Sequence, residues 1–237
     1  MIGDVLRYPV SDEIGRTALL RCGLGVVAIA VGLRYAVALA PLAVALVPAF
    51  VALLGAITLL GTTSFVLGSD ERRPRPSARA VIRSGCEALA LATALLVPSI
   101  ALLAWSLLET PERIALGNGT GLFALVSSTA LVFVFIACAY VYPVAVAASV
   151  STGRLRAAAE ADALRPALTD ATYFLRWTVG FSLVVLATWF AVTTFRRTDA
   201  VGLITAAAAA YLLVAGTRAV GLGYARAAGG GSTSKPR

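Results

Sequence analysis

Apolar residues run for about 20 positions at a time in six stretches of this chain, and the charged residues gather in the gaps between them. Some 20 residues at 1.5 Å rise per residue cross the ~30 Å hydrocarbon core of a bilayer. The pattern predicts an all-α polytopic membrane bundle of about six transmembrane helices arranged as three hairpins. The spans fall roughly at 17–40, a second closing near Gly68, then 85–108, 122–144, 173–195 and 201–222. Pro41 and Pro48 bracket a charge-free stretch, where a tight turn divides the first two spans. One unbroken helix over 35–68 is the competing parse.

The polar segments between the spans have their own patterns. Residues 1–16 are of mixed polarity and contain Asp4, Asp12 and Glu13, with no short apolar core followed by small residues, so they read as an N-terminal cytoplasmic segment and not as a signal peptide. Residues 17–225 form the transmembrane domain, and 226–237, with Gly229-Gly230-Gly231, form a flexible tail. In the segment 151–170, Ala157, Ala161, Leu164 and Leu168 share one helical face. Arg156 and Glu160, and Asp162 and Arg165, are spaced to pair along a helix. This segment is expected to be an amphipathic elbow on the membrane surface, interrupted near Pro166. Residues 109–121 read as a short polar turn.

Charge gives the bundle a direction. Of the 20 basic residues, 16 fall in the N-terminal segment and the first turns of the span after it (through Arg21), the 69–83 loop, the 150–176 segment and the end of the chain from Arg218 onward. Arg34, Arg113, Arg196 and Arg197 fall on the other side. Positive charge is retained in the cytoplasm, so both termini and both basic segments are expected inside the cell membrane. Each of the three helices that start on that side opens on the same type of sequence: a Ser or Thr beside or ahead of an Arg, just before an apolar run. This echo fits three related hairpins, or only the shared needs of helix initiation.

Composition sharpens the reading. The chain is 59% hydrophobic and 14% charged, against ~45–50% and ~25% in soluble domains. Its net charge of +8 comes from 19 Arg and Lys235. These sit in short loops beside apolar spans, which points to anionic headgroups and excludes nucleic acid. Histidine is absent and no C-x-x-C occurs, which removes His-based zinc sites and His-assisted nucleophiles; no cofactor is implied. Cys22, Cys86 and Cys138 read as small packing residues.

Few residues carry chemistry. Glu87 lies a turn inside the third span, where a carboxylate costs a few kcal/mol unless paired or neutral. It is either a proton-coupling group or the partner of Arg83 four residues earlier. Arg21 and Arg34 either bind an anion within the membrane or snorkel to opposite interfaces. Arg72, Arg73, Arg75, Arg79 and Arg83 form a patch suited to anionic lipid. Asn118-Gly119-Thr120 matches an N-glycosylation acceptor. Glu109 and Glu112 are a close external acid pair but read as turn residues. The favoured role is therefore a non-catalytic membrane scaffold or interaction protein, whose partner is a second copy or another membrane protein. The alternative is a small-solute or ion transporter or channel with Glu87 as its coupling group.

The start Tyr8-Pro9-Val10-Ser11-Asp12-Glu13, the loop leading to Ile82-Arg83-Ser84-Gly85, and the stretch from Tyr142-Pro143 through Gly153-Arg154-Leu155 and Ala157 to Tyr173 and Trp177 resemble the domain of unknown function 4013 family. Its members are small multi-pass proteins, mostly haloarchaeal. Where they often carry Gly-Tyr near the end of the second span, this chain has Gly61-Thr62. The resemblance implies architecture and membrane placement, and no activity.

Overall fold

The computed structural model describes residues 2–68, 77–115 and 120–230. Among them are eight α-helices and two short 3-10 turns, and no strand. The helices are α1 (Ile2–Ser11), α2 (Glu13–Leu39), α3 (Leu46–Gly68), α4 (Ala78–Ala115), α5 (Thr120–Thr152), α6 (Ala161–Leu168), α7 (Ala171–Arg196) and α8 (Ala200–Gly230). Six of them (α2, α3, α4, α5, α7 and α8) are long and apolar enough to cross a membrane. The chain is a multi-pass membrane protein. Its outer surface agrees: Leu24 is 71% exposed and Trp189 73%, side chains that water would punish and lipid accepts.

Three of the spans begin on a capped turn. Asp12 accepts from the Ile14 amide, Ser77 from Ala80 and Asp170 from Tyr173. These residues satisfy amides that a helix start leaves unpaired. At each basic-side entry the repeated motif coincides with a capped turn, the cap being Ser77 itself at α4 and the Asp that follows Ser11 or Thr169 at α2 and α7. Between α2 and α3 the helix stops at Leu39, and a 3-10 turn over Ala43–Ala45 leads into Leu46. The two-helix parse of 35–68 is the one observed, with Pro48 in the first turn of α3, where its missing N–H is no loss.

Glycine sets the distances between helices. A Cβ on Gly61 of α3 would lie 2.1 Å from the Val81 carbonyl oxygen of α4, and one on Gly85 of α4 2.1 Å from that of Ile57 in α3. Gly25 of α2 and Gly55 of α3 face each other similarly, as do Gly180 of α7 and Gly216 of α8. At these crossings backbone touches backbone, the close approach that drives association in lipid, where apolar side chains gain nothing by leaving the tails. The register of the crossings makes neighbouring spans antiparallel and puts the start of α2, the ends of α3 and α5, the starts of α4 and α7 and the end of α8 at one end of the bundle. That end is called basal below. The Ala-rich α8 is the most enclosed span, with Ala206, Ala209, Ala210, Ala215 and Ala219 buried.

Several boundaries differ from the sequence reading. The N-terminal segment is not simply polar chain: Ile2–Ser11 is helical, and Val5 packs on Ala215 and Ala219 while the Tyr211 hydroxyl donates to the Leu6 carbonyl. Residues 109–115 continue α4 instead of turning, and α8 runs to Gly230, past the expected start of the tail. Helix α5 continues nine residues beyond Pro143. The elbow breaks at Glu160, not at Pro166, into a 3-10 turn over Leu155–Ala159 and α6. That break carries Arg156 away from Glu160, and neither expected ion pair forms among the described residues. Ala157, Leu164 and Ala167 are buried instead of the full expected stripe, and Ala161 is exposed.

Candidate functional site

Glu87 is fastened on both oxygens. Arg83, one turn earlier on α4, donates through Nε to Oε1 at 3.1 Å, and the Ser149 hydroxyl of α5 donates to Oε2 at 2.9 Å. Arg83 also reaches the Gly153 carbonyl at 3.0 Å, where the chain leaves α5 through a left-handed glycine with φ of 66°. Arg83 has a side chain 70% exposed and Glu87 one 19% exposed, so the pair sits at the basal rim. A rim pair of this kind contributes under about 1 kcal/mol. Its consequence is geometric: it joins α4, α5 and the start of the elbow.

The other charges singled out in the spans lie elsewhere. Arg34 donates to the Phe195 carbonyl and, at 3.2 Å, to that of Arg197. There it satisfies the carbonyls at the C-terminus of α7, the end where a helix dipole favours a cation. Arg21 is half-buried, 13 residues earlier on the same helix, a separation of about 20 Å. Glu87, Arg21 and Arg34 therefore do not converge. Of the arginine patch, Arg79 is exposed beside Arg83 on the first turns of α4. Arg72, Arg73, Arg75 and Asn118 lie outside the described residues.

Where α5 meets α7, an aromatic cluster closes the basal half of the bundle. Pro143 has no N–H, so the Ala139 carbonyl one turn earlier has no helical donor. The Trp177 indole N–H takes that place at 3.0 Å. One residue on, the Tyr140 carbonyl accepts from the Tyr173 hydroxyl at 3.0 Å, while the Tyr140 hydroxyl donates to the Leu168 carbonyl at 3.0 Å. Trp177 stacks on Phe181 at 4.9 Å and meets Tyr140 edge-on at 5.0 Å. This is why α5 passes through a proline without stopping.

Of the cavities beside α7 and α8, two are lined by the side chains described above or by polar groups. The central one, about 270 Å³, is walled by Leu59, Leu96, Phe135, Trp177 and Val184. The hydroxyls of Thr63, Ser64 and Thr217 turn back to carbonyls of their own helices and that of Tyr142 donates to the Ala88 carbonyl of α4, which leaves an apolar space. The second, about 630 Å³, lies between α1, α7 and α8. Its polar wall is Asp4, Tyr8 and Ser11 of α1, Arg176 of α7, and Arg218 and Arg226 of α8. Arg176 and Arg218 are only 6% and 7% exposed. The Arg218 guanidinium lies 4.6 Å from the centre of the Tyr8 ring, a cation–π contact.

This second grouping escapes the sequence, because it depends on α1 folding back along α8. The one available signal was the amphipathic spacing of Val5, Leu6 and Pro9 within a segment read as polar. Among the described residues no group of three or more His, Cys, Asp or Glu side chains is placed to hold a metal. No family model matches the chain, and no curated protein or solved structure matches it either.

Proposed function

We propose that this multi-pass protein is a non-catalytic scaffold or interaction protein of the cell membrane, with both termini, the arginine patch and the elbow in the cytoplasm. The observation that carries this reading is how the polar groups of the spans are used. Glu87 joins α4 to α5, Arg34 caps α7, and the hydroxyls of Thr62, Thr63 and Ser64 return to their own backbone. A transport path needs polar groups that face a wet channel; here Glu87 and Arg34 fasten helices, and the hydroxyls of α3 serve their own backbone. The excess of Arg at the basal end supports its cytoplasmic placement. The motifs that resemble the domain of unknown function 4013 family agree with this reading, since Tyr173 and Trp177 reach across to α5 beside Pro143.

The test is flux. The purified protein is reconstituted into liposomes, and uptake of labelled ions and small metabolites is compared for wild type, Glu87→Gln and protein-free vesicles. The expected result is three equal rates. A wild-type flux that Glu87→Gln abolishes overturns the scaffold reading in favour of transport with Glu87 as the coupling group.

A further inference from the structure

The cavity between α1, α7 and α8 is lined by more cations than carboxylates. Three guanidinium groups, Arg176, Arg218 and Arg226, face one carboxylate, Asp4. Arg176 is the telling member. It is only 6% exposed, and its Nε is buried with no hydrogen-bond partner. A buried cation with an unused donor is costly, and proteins ordinarily pair it. Arg176 stands six residues past its cap Asp170, as Arg83 does past Ser77. Arg83 finds Glu87 one turn on, whereas the position one turn beyond Arg176 is Gly180. The fold also makes room for Arg176: a Cβ on Gly223 of α8 would come within 3.1 Å of its Cβ.

We propose that this cavity is an anion site for a phosphate group carrying an apolar moiety. Planar guanidinium groups match phosphate oxygens in pairs. Val5, Val179 and Leu222 complete the wall, so the ligand presents a phosphate to the arginines and hydrocarbon to these side chains. The volume of about 630 Å³ lies within the ~300–1,000 Å³ usual for ligand sites. A phospholipid headgroup from the adjoining leaflet has this chemistry, and a soluble phosphate ester or free phosphate has its polar half. The site is distinct from the arginine patch around Arg79, and its occupancy does not depend on whether the bundle transports anything.

The experiment measures unfolding temperature of the detergent-purified full chain as phosphatidylglycerol, phosphatidylcholine or inorganic phosphate is added. A ligand that binds only the folded state raises this temperature with the logarithm of its concentration above Kd. Wild type is expected to gain with phosphatidylglycerol and not with phosphatidylcholine. In Arg176→Gln the apparent affinity falls at least about tenfold, the loss of one charge-assisted pair, while the lipid-free stability stays level or rises as an unpaired buried charge is removed. Arg226→Gln, an exposed side chain at the rim, repeats the affinity loss without touching the core. Arg165→Gln on α6 is the reference and leaves the response intact. A gain with inorganic phosphate that Arg176→Gln removes assigns the site to a soluble phosphate. Absence of any gain, or equal gains in wild type and both cavity variants, overturns the proposal.

Discussion

Replacing Trp177 by Phe isolates one hydrogen bond in the clasp between α5 and α7. Phe keeps an aromatic ring against Phe181 and Tyr140, whose centroids lie 4.9 and 5.0 Å away. It removes the donor to the Ala139 carbonyl at 3.0 Å. Because Pro143 supplies no N–H, that carbonyl is left facing the apolar central cavity, which Ala139, Pro143 and Trp177 all line. An unsatisfied buried acceptor costs ~1–3 kcal/mol in soluble proteins, whereas side-chain hydrogen bonds measured within membranes average ~0.6 kcal/mol. A cost near 1 kcal/mol is expected. Pro143→Ala restores a backbone N–H to Ala139 while withdrawing part of a ring from the cavity wall, so alone it is mildly destabilising. In the double variant the restored N–H serves the carbonyl that Trp177→Phe abandoned. The two changes should then cost less together than the sum of their separate costs, by ~1 kcal/mol. Unfolding in mixed micelles of rising dodecyl sulfate content, followed by circular dichroism, measures all four proteins. Additivity within ~0.3 kcal/mol would refute the account of how α5 passes through its proline.

The remaining predictions concern the rim, the crossings and the orientation. Glu87→Gln keeps one carbonyl acceptor for Arg83 and turns its amide NH2 to the Ser149 hydroxyl, which accepts instead of donating, so it lowers stability in the same unfolding assay by less than ~1 kcal/mol; a loss beyond ~3 kcal/mol contradicts a rim location. Gly61→Ala drives a methyl into the Val81 carbonyl 2.1 Å away and is expected to cost ~2–3 kcal/mol, the scale of overpacking. Gly153→Ala meets no atom within 4 Å but keeps a φ of +66°, and costs ~1–2 kcal/mol from backbone strain alone; the reverse ranking sinks the reading of Gly61 as a contact glycine. In a background with Cys22, Cys86 and Cys138 replaced, a membrane-impermeant maleimide applied to intact cells labels Arg196→Cys and spares Arg79→Cys. Labelling of Arg79→Cys from outside inverts the topology.

What the sequence made legible was whatever is local or periodic. Six apolar runs gave six spans, and the three basic-side helix starts were marked by a Ser or Thr ahead of an Arg, because helix initiation is written within a few adjacent residues. The Arg83–Glu87 pair was visible as a four-residue spacing. Its third member, Ser149, lies 62 positions away, and no local pattern marks it. Pro143 misled for a similar reason: a proline ends a helix unless something else serves the freed carbonyl, and that something is Trp177, 38 residues on from Ala139. Helix α1 was hidden by its polarity, since Asp4 and Arg7 read as solvated chain while Val5 and Leu6 on the other side pack against α8. The arginine cavity inherits that blindness, because one of its three walls is α1.

The elbow has both its ends pinned to the same part of the bundle. Arg83 of α4, itself joined to α5 through Glu87 and Ser149, grips the chain at Gly153, and Tyr140 of α5 grips it again at Leu168. What lies between is therefore a strap with fixed buckles, and its length is not what positions α7. Glu160, exposed and extended, marks the break between the two short helical turns of that strap. Closing a longer flexible loop costs only ~0.6 kcal/mol per doubling of its length. A reporter domain or epitope inserted at Glu160 should thus leave the six spans in register, giving this protein a handle at its basal face that the membrane-embedded bundle does not feel.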